Sequence, residues 1–169
     1  LQLVRPVHHT LGRHRDDDPR RGWISGLDDH QARHHPTAGG LRIGKPLPER
    51  RPQDPFDERL EWDRDGQYFH YLTKWMHALC RAAGVTGEPR YGRWAVELAK
   101  AAHAAFAVPL PPRGEKRLVW KMSIDLARPL VPSAGLHDPL DVYITCNELG
   151  LCAGRRASEL PGLSMDDEI

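Results

Sequence analysis

The sequence predicts a mainly α-helical protein, and three features lead to that expectation. Two adjacent segments within 66–107 carry apolar residues at helical spacing, and a third segment at 138–150 repeats the pattern. One stretch, 116–126, alternates as a short extended segment does. The segment 13–65 is rich in Pro, Gly, His, Asp and Arg, so we expect long irregular N-terminal loops there. At 169 residues with 40% hydrophobic content, the chain is expected to form one domain, 1–169.

The central segment is predicted to be a helix hairpin, with helices at 67–83 and 90–107. Apolar residues recur every three or four positions in both, and the many alanines of the second helix allow close approach to the bulkier first one. Asp65 is expected to cap the first helix, Gly84 to end it, Pro89 to begin the second helix and Pro109 to end that one. The short connection favours an antiparallel pair.

Shorter elements are expected on either side of the hairpin. A helix within 1–11 would stop at Gly12, and Asp138 would cap the helix at 138–150. In the extended segment, alternation predicts that Lys121, Ser123 and Asp125 face solvent, with Lys121 and Asp125 close enough to pair.

Composition and motifs argue against several classes of function. A formal net charge of +1 does not favour binding to nucleic acid. No apolar run reaches the ~18 residues needed to span a bilayer, the first residues lack the apolar core of a secretory signal, and three cysteines cannot all pair. We therefore expect no membrane association and a reducing, cytoplasmic location, with Cys80 buried in the first hairpin helix.

No cofactor or metal is predicted. The run GGLRIGK at 39–45 has the spacing of a phosphate-binding loop, but Pro46 stands where a hydroxyl is required and no helix can follow, which favours a glycine turn. The ten histidines show no metal-ligand spacing and are expected to be solvated.

Two segments concentrate groups that could act on a sugar. Residues 56–71 interleave acids with aromatic residues, which suits stacking on a sugar ring and hydrogen bonding to its hydroxyl groups. Residues 120–141 add a lysine, a serine, acids and an imidazole. Helix capping and surface ion pairing are the alternative interpretation of the individual acids.

The run DGQYFHYLTKWMHAL, the Trp- and Ala-rich helix after it, and WKMSIDLARPLVPSAGLHDPLD together resemble the six-hairpin glycosidase-like superfamily. The resemblance covers 60–149 and implies helix hairpins of an incomplete α/α toroid, whose loops carry the reactive groups at one rim. It implies a carbohydrate or another polar small molecule as the partner.

The resemblance is compatible with two enzyme activities, and a third, non-catalytic function stays open beside them. A glycoside hydrolase would use paired carboxylates, Glu61 or Asp63 with Asp125. A sugar epimerase would use His70 or His137 as the proton carrier, which makes His137 a further catalytic candidate. The third possibility is a non-catalytic helical module that binds carbohydrate or protein. The residues expected to contact substrate are Trp62, Tyr68, His70, Lys121 and Asp138.

Overall fold

The computed structural model describes residues 3–110 and 115–131 together with positions 144, 145, 147 and 150. In this part of the chain, five helices and four short strands follow one another, which confirms a mainly α protein. They are α1 (Val4–Leu11), α2 (Asp29–His34), α3 (Glu58–Asp63), β1 (Gln67–Tyr68), α4 (Phe69–Thr86), α5 (Pro89–Phe106), β2 (Ala107–Leu110), β3 (Glu115–Leu118) and β4 (Lys121–Met122). Among the described residues, no helix combines the length and apolar character that crossing a membrane requires.

Helices α4 and α5 form the antiparallel hairpin that the sequence predicts. At one end, the rings of Phe69 and Phe106 lie 5.2 Å apart, so the start of α4 meets the end of α5. At the other end, Gly92 near the start of α5 approaches Ala83 near the end of α4. The predicted apolar stripes face each other and form most of the core, which Leu41, Val119 and Met122 extend. Cys80 is buried there, as expected.

The predicted ends of the hairpin helices are partly wrong. Pro89 does begin α5, but α4 continues past Gly84 to Thr86 and ends at Gly87, whose φ of 72° is the left-handed conformation that favours glycine at a helix end. Asp65 does not cap α4, because its buried carboxylate accepts hydrogen bonds from the backbone N–H groups of Gly44 and Gly66 at 2.8 and 3.0 Å. Helix α5 ends at Phe106, before Pro109.

The N-terminal helix α1 ends before Gly12, as predicted, and packs on the hairpin through a histidine. The His8 side chain is fully buried, with its ring 4.7 Å from the Trp75 ring and 5.7 Å from the Trp94 ring. Its Nδ1 atom lies 2.7 Å from the Val4 carbonyl oxygen, while its Nε2 atom has no hydrogen-bond partner. An imidazole buried in this way is held in its neutral form, since burial lowers its pKa.

Two short helices lie within the loop-rich segment 13–65. The Asp28 carboxylate caps α2, and the Asp57 carboxylate caps α3 by accepting hydrogen bonds from the N–H groups of Arg59 and Leu60 at 2.9 and 3.0 Å. Near α2, Asp29 accepts hydrogen bonds from Trp23 and Arg33 and forms an ion pair with Arg13. Side-chain interactions of this kind hold long stretches of irregular backbone in place.

The GGLRIGK run begins in a turn that the hydrogen bond from the Gly40 N–H to the Thr37 carbonyl oxygen closes, continues as irregular backbone, and is not followed by a helix until Glu58. Gly40 has a φ of 78°, and a Cβ atom at this position would lie 1.9 Å from the side-chain oxygen of Gln67. The buried Gln67 amide accepts a hydrogen bond from the Leu41 N–H and donates to the carbonyl oxygens of Gly39 and Ile124. Gln67 therefore joins this turn to the residues after β4.

The predicted single extended segment is two strands in two different sheets. Strand β3 pairs with β2, whereas β4 pairs with β1, in the register Gln67 to Met122 and Tyr68 to Lys121. The expectation of a solvent-facing side is also wrong for Lys121 and Ser123, which are buried. For Lys121 the reason is that α3 covers that side of β4 and supplies its ion-pair partner.

Most of the predicted helix at 138–150, together with Cys146 and Cys152, lies outside the described residues.

Candidate functional site

The pairing of β1 with β4 brings together the two segments that the sequence singled out. Glu61 in α3 and Lys121 in β4 are 60 residues apart, yet Lys121 Nζ lies 2.9 Å from Glu61 Oε2. The same ammonium group donates to the carbonyl oxygens of Glu61 and Arg64 at 2.5 and 3.1 Å. Arg50 Nε donates to the other oxygen of the Glu61 carboxylate at 2.8 Å.

This ion pair is almost completely removed from solvent. The side chains of Lys121 and Glu61 are 0% and 2% exposed, and every hydrogen of the ammonium group has an acceptor. Burial lowers the pKa of Lys121, although the Glu61 carboxylate opposes that effect. The pair holds α3 against β4, and in this arrangement the Glu61 carboxylate is not open to a ligand. Lys121 does not pair with Asp125, contrary to one prediction.

Aromatic residues surround this buried pair. The Tyr68 hydroxyl donates to the Glu61 carbonyl oxygen at 3.0 Å, and burial together with the Glu61 charge raises the pKa of Tyr68. The rings of Trp62 and Trp120 stack at 5.1 Å with an angle of 26° between their planes, and Trp62 is 51% exposed. The His70 ring lies 6.0 Å from the Tyr68 ring. Of the predicted substrate-contacting residues in this region, Trp62 and His70 are therefore more accessible than the buried Tyr68 and Lys121.

A cleft lies beside this region, with a volume of about 590 Å³. It is formed by three separate stretches of chain, 17–20, 48–53 and 125–128. Its charged lining residues are Asp17, Asp18, Arg20, Glu49, Arg51, Asp125 and Arg128. Among the described residues that line the cleft, Asp125 is the one that the sequence predicted to be catalytic.

Arg20 is the centre of a network of three carboxylates in this cleft. Its guanidinium lies 2.9 Å from Asp125 Oδ2 and 2.7 Å from Asp18 Oδ2, and it also pairs with Glu49. These partners come from all three stretches of the cleft, so the network fixes the relative positions of its walls.

Backbone and hydroxyl groups orient two of these carboxylates further. The Ser123 hydroxyl donates to Asp125 Oδ1 at 2.6 Å, and the Ile124 N–H donates to Glu49 Oε2 at 2.6 Å. Partial burial would raise the pKa of Asp125, but hydrogen bonds from Ser123 and the Ala127 N–H, with the charge of Arg20, outweigh it and lower that pKa. Hydrogen bonds from Arg20 likewise lower the pKa of Asp18. Both carboxylates are therefore ionised near neutral pH and can act as hydrogen-bond acceptors, bases or nucleophiles.

His14 adjoins this network and was missed by the sequence analysis, which expected solvated histidines. Its side chain is 8% exposed, its Nδ1 atom has no hydrogen-bond partner, and that atom lies 3.9 Å from Asp18 Oδ2. Burial and the charge of Arg20 lower the pKa of His14, which favours a neutral imidazole beside the carboxylates. The available signal was the spacing of four residues between His14 and Asp18 in the charged run RHRDDDPRR.

Of the other predicted catalytic residues, Glu61 belongs to the buried ion pair with Lys121. Asp63 is exposed at the end of α3, and its carbonyl oxygen accepts a hydrogen bond from the Leu47 N–H. His137 and Asp138 are outside the described residues. Within the described ranges, no three His, Cys, Asp or Glu side chains are placed to hold a metal ion.

Comparisons with protein-family models, with curated proteins and with solved structures find no match to this chain.

Proposed function

We propose that this chain is part of a carbohydrate-active protein and that it binds a sugar in the cleft around Arg20 and Asp125. The observation that carries the proposal is the convergence of carboxylates and guanidinium groups from three stretches of chain in one space of about 590 Å³. This volume is within the range of pockets that bind small molecules.

The chemistry of the lining suits a polyol. Sugar hydroxyl groups can donate hydrogen bonds to Asp125 and Glu49, and guanidinium groups can donate to the hydroxyl oxygens. Trp62 is not among the residues that line the cleft, so the sugar would be held there by hydrogen bonds to charged groups.

The proposal includes two reactions that this cleft could catalyse. Glycoside hydrolysis needs one ionised carboxylate and one proton donor, and Asp125 fits the first role because its pKa is lowered. Sugar epimerisation needs a group that removes and returns a proton near neutral pH. The neutral imidazole of His14 favours this second candidate, because it lies outside the cleft lining but 3.9 Å from Asp18 Oδ2, which belongs to it.

Binding measurements with the whole chain test the proposal directly. We would titrate neutral and acidic mono- and oligosaccharides by calorimetry and by saturation-transfer NMR, comparing the parent with Asp125→Asn. Loss of one hydrogen bond to a charged group corresponds to roughly 10- to 100-fold weaker binding. Asp16→Asn, which removes the same charge at an exposed position outside the cleft lining, is the matched control and should bind as the parent does.

Products then separate hydrolysis from epimerisation. New reducing ends indicate hydrolysis, whereas uptake of solvent deuterium at a sugar carbon indicates epimerisation. A chain that binds none of the saccharides, or an Asp125→Asn variant that binds them as the parent does, would refute the assignment of this cleft.

A further inference from the structure

The acids and the cations that line the cleft differ in their ion pairing. Asp18, Glu49 and Asp125 share the single guanidinium of Arg20, which leaves an excess of negative charge around it. Asp17, the remaining acid of the lining, pairs with Arg15 outside it.

The remaining cations of the cleft lining are Arg51 and Arg128. Within the described ranges, neither guanidinium forms an ion pair with a carboxylate. Arg128 donates instead to the carbonyl oxygen of Arg50, which places its guanidinium against the backbone next to Arg51. The lining thus contains two cations without an ion-pair partner among the described residues, and acids that already have one.

This difference between paired acids and unpaired arginines favours one class of sugar over another. A neutral sugar could hydrogen bond to the carboxylates and to guanidinium groups, but it would leave the positive charges of Arg51 and Arg128 without a counter-charge. A sugar with one anionic substituent could place hydroxyl groups against Asp125 and Glu49 and its anion against the arginines. Guanidinium groups bind carboxylate, sulfate and phosphate oxygens in paired, charge-assisted hydrogen bonds, so the second arrangement provides partners for both the acids and the arginines.

We infer that the ligand of this cleft is an acidic sugar and that Arg51 and Arg128 bind its anionic group. This inference rests on the proposed function. The anionic group is an oxyanion, either planar or tetrahedral. The carboxylate of a uronic acid, a sulfate ester and a phosphate ester are its three possible sources.

The test compares sugars that differ only in the anionic group. Methyl glucuronide, methyl glucoside, methyl glucoside 6-sulfate and methyl glucoside 6-phosphate would be titrated into the whole chain at low and at physiological ionic strength. We expect at least one acidic sugar to bind about tenfold or more tightly than methyl glucoside, and added salt to reduce that advantage. The tightest of the three identifies the oxyanion.

Variants then assign the effect to the two arginines. Arg51→Gln and the double variant Arg51→Gln/Arg128→Gln should lose the preference for the acidic sugar over methyl glucoside. Arg51 is exposed, so its single variant keeps the test valid if the double variant is unstable. Arg59→Gln, an exposed change of the same kind outside the cleft lining, is the control and should retain the preference.

The outcomes separate this inference from the proposed function. Equal binding of neutral and acidic sugars, or a preference that survives in Arg51→Gln, would overturn the inference and leave sugar binding intact. Failure to bind any of the four compounds would overturn both.

Discussion

Replacing Lys121 with methionine is predicted to lower the free energy of unfolding by about 3–5 kcal/mol, the usual cost of removing one partner from a buried ion pair. Lys121 Nζ has three acceptors, the Glu61 carboxylate at 2.9 Å and the carbonyl oxygens of Glu61 and Arg64 at 2.5 and 3.1 Å, and methionine can satisfy none of them. Methionine fills a similar volume, so a cavity contributes little. Because Arg50 still donates to Glu61 at 2.8 Å, we expect a value near the lower limit.

Equilibrium unfolding in urea measures this loss directly. In a chain of 169 residues, 1 kcal/mol corresponds to a change in Tm of roughly 2–4 °C, so Tm should fall by about 6–20 °C. Lys100→Met makes the same substitution at an exposed position of α5 and should change stability by less than about 0.5 kcal/mol.

A double-mutant cycle tests whether the loss of stability in Lys121→Met arises from the unpaired charge of Glu61. In Lys121→Met/Glu61→Gln, the remaining buried group is neutral, so the double variant should be less destabilised than the two single changes added together, with an interaction energy of about 0.5–3 kcal/mol. Strict additivity would contradict the argument. A loss below about 1 kcal/mol for Lys121→Met alone would also do so, because that is the cost of breaking an exposed pair.

Three further substitutions test the helix end and the buried histidine. Gly84→Ala should stabilise the chain by about 0.5–1 kcal/mol, since Gly84 lies within α4 with open space beside it. Gly87→Ala should destabilise it by about 1–2 kcal/mol, because Gly87 has the left-handed conformation. Unfolding in urea measures both changes. The pKa of buried His8 is lowered from 6.5, so the stability that its neutral form contributes is present above pH 6.5 and is lost as the pH falls toward the folded-state pKa. Between pH 7 and 5, His8→Gln should therefore lose less stability than the parent, and the exposed His30→Gln serves as control; equal losses in His8→Gln and the parent would contradict this account.

The sequence predicted the elements whose stability depends on local pattern. The two long helices follow from apolar spacing alone, and Pro89 begins α5 because proline suits the first turn of a helix. The end of α4 was misplaced because two glycines lie three residues apart at 84 and 87, and the left-handed φ that decides between them depends on the backbone. Two short helices were missed because six residues show too little periodicity.

The environment of the charged residues could not be predicted from pattern. Alternation in the segment after residue 116 indicated a half-buried strand, but a strand that is covered on both sides by distant parts of the chain shows no solvent face. Lys121 is buried because Glu61, 60 residues earlier, supplies its counter-charge. Asp125, whose expected partner was Lys121, pairs instead with Arg20, 105 residues earlier. Contacts over such separations depend on the completed fold, so spacing in the sequence does not indicate them.

The candidate cleft depends mainly on the segment that showed the least regular pattern. Asp18, Arg20, Glu49 and Arg51 all lie within 13–65, and Asp125 follows β4, so none of the charged residues that line the cleft belongs to the helix hairpin. An irregular segment can position such groups only if other interactions replace the hydrogen bonds of regular structure, and the ion pairs of Arg20 do so. The same carboxylates that would bind a ligand therefore also hold the cleft walls together. A substitution of Arg20 would disturb both functions at once, whereas Arg51, which has no such partner among the described residues, allows ligand recognition to be tested separately from folding.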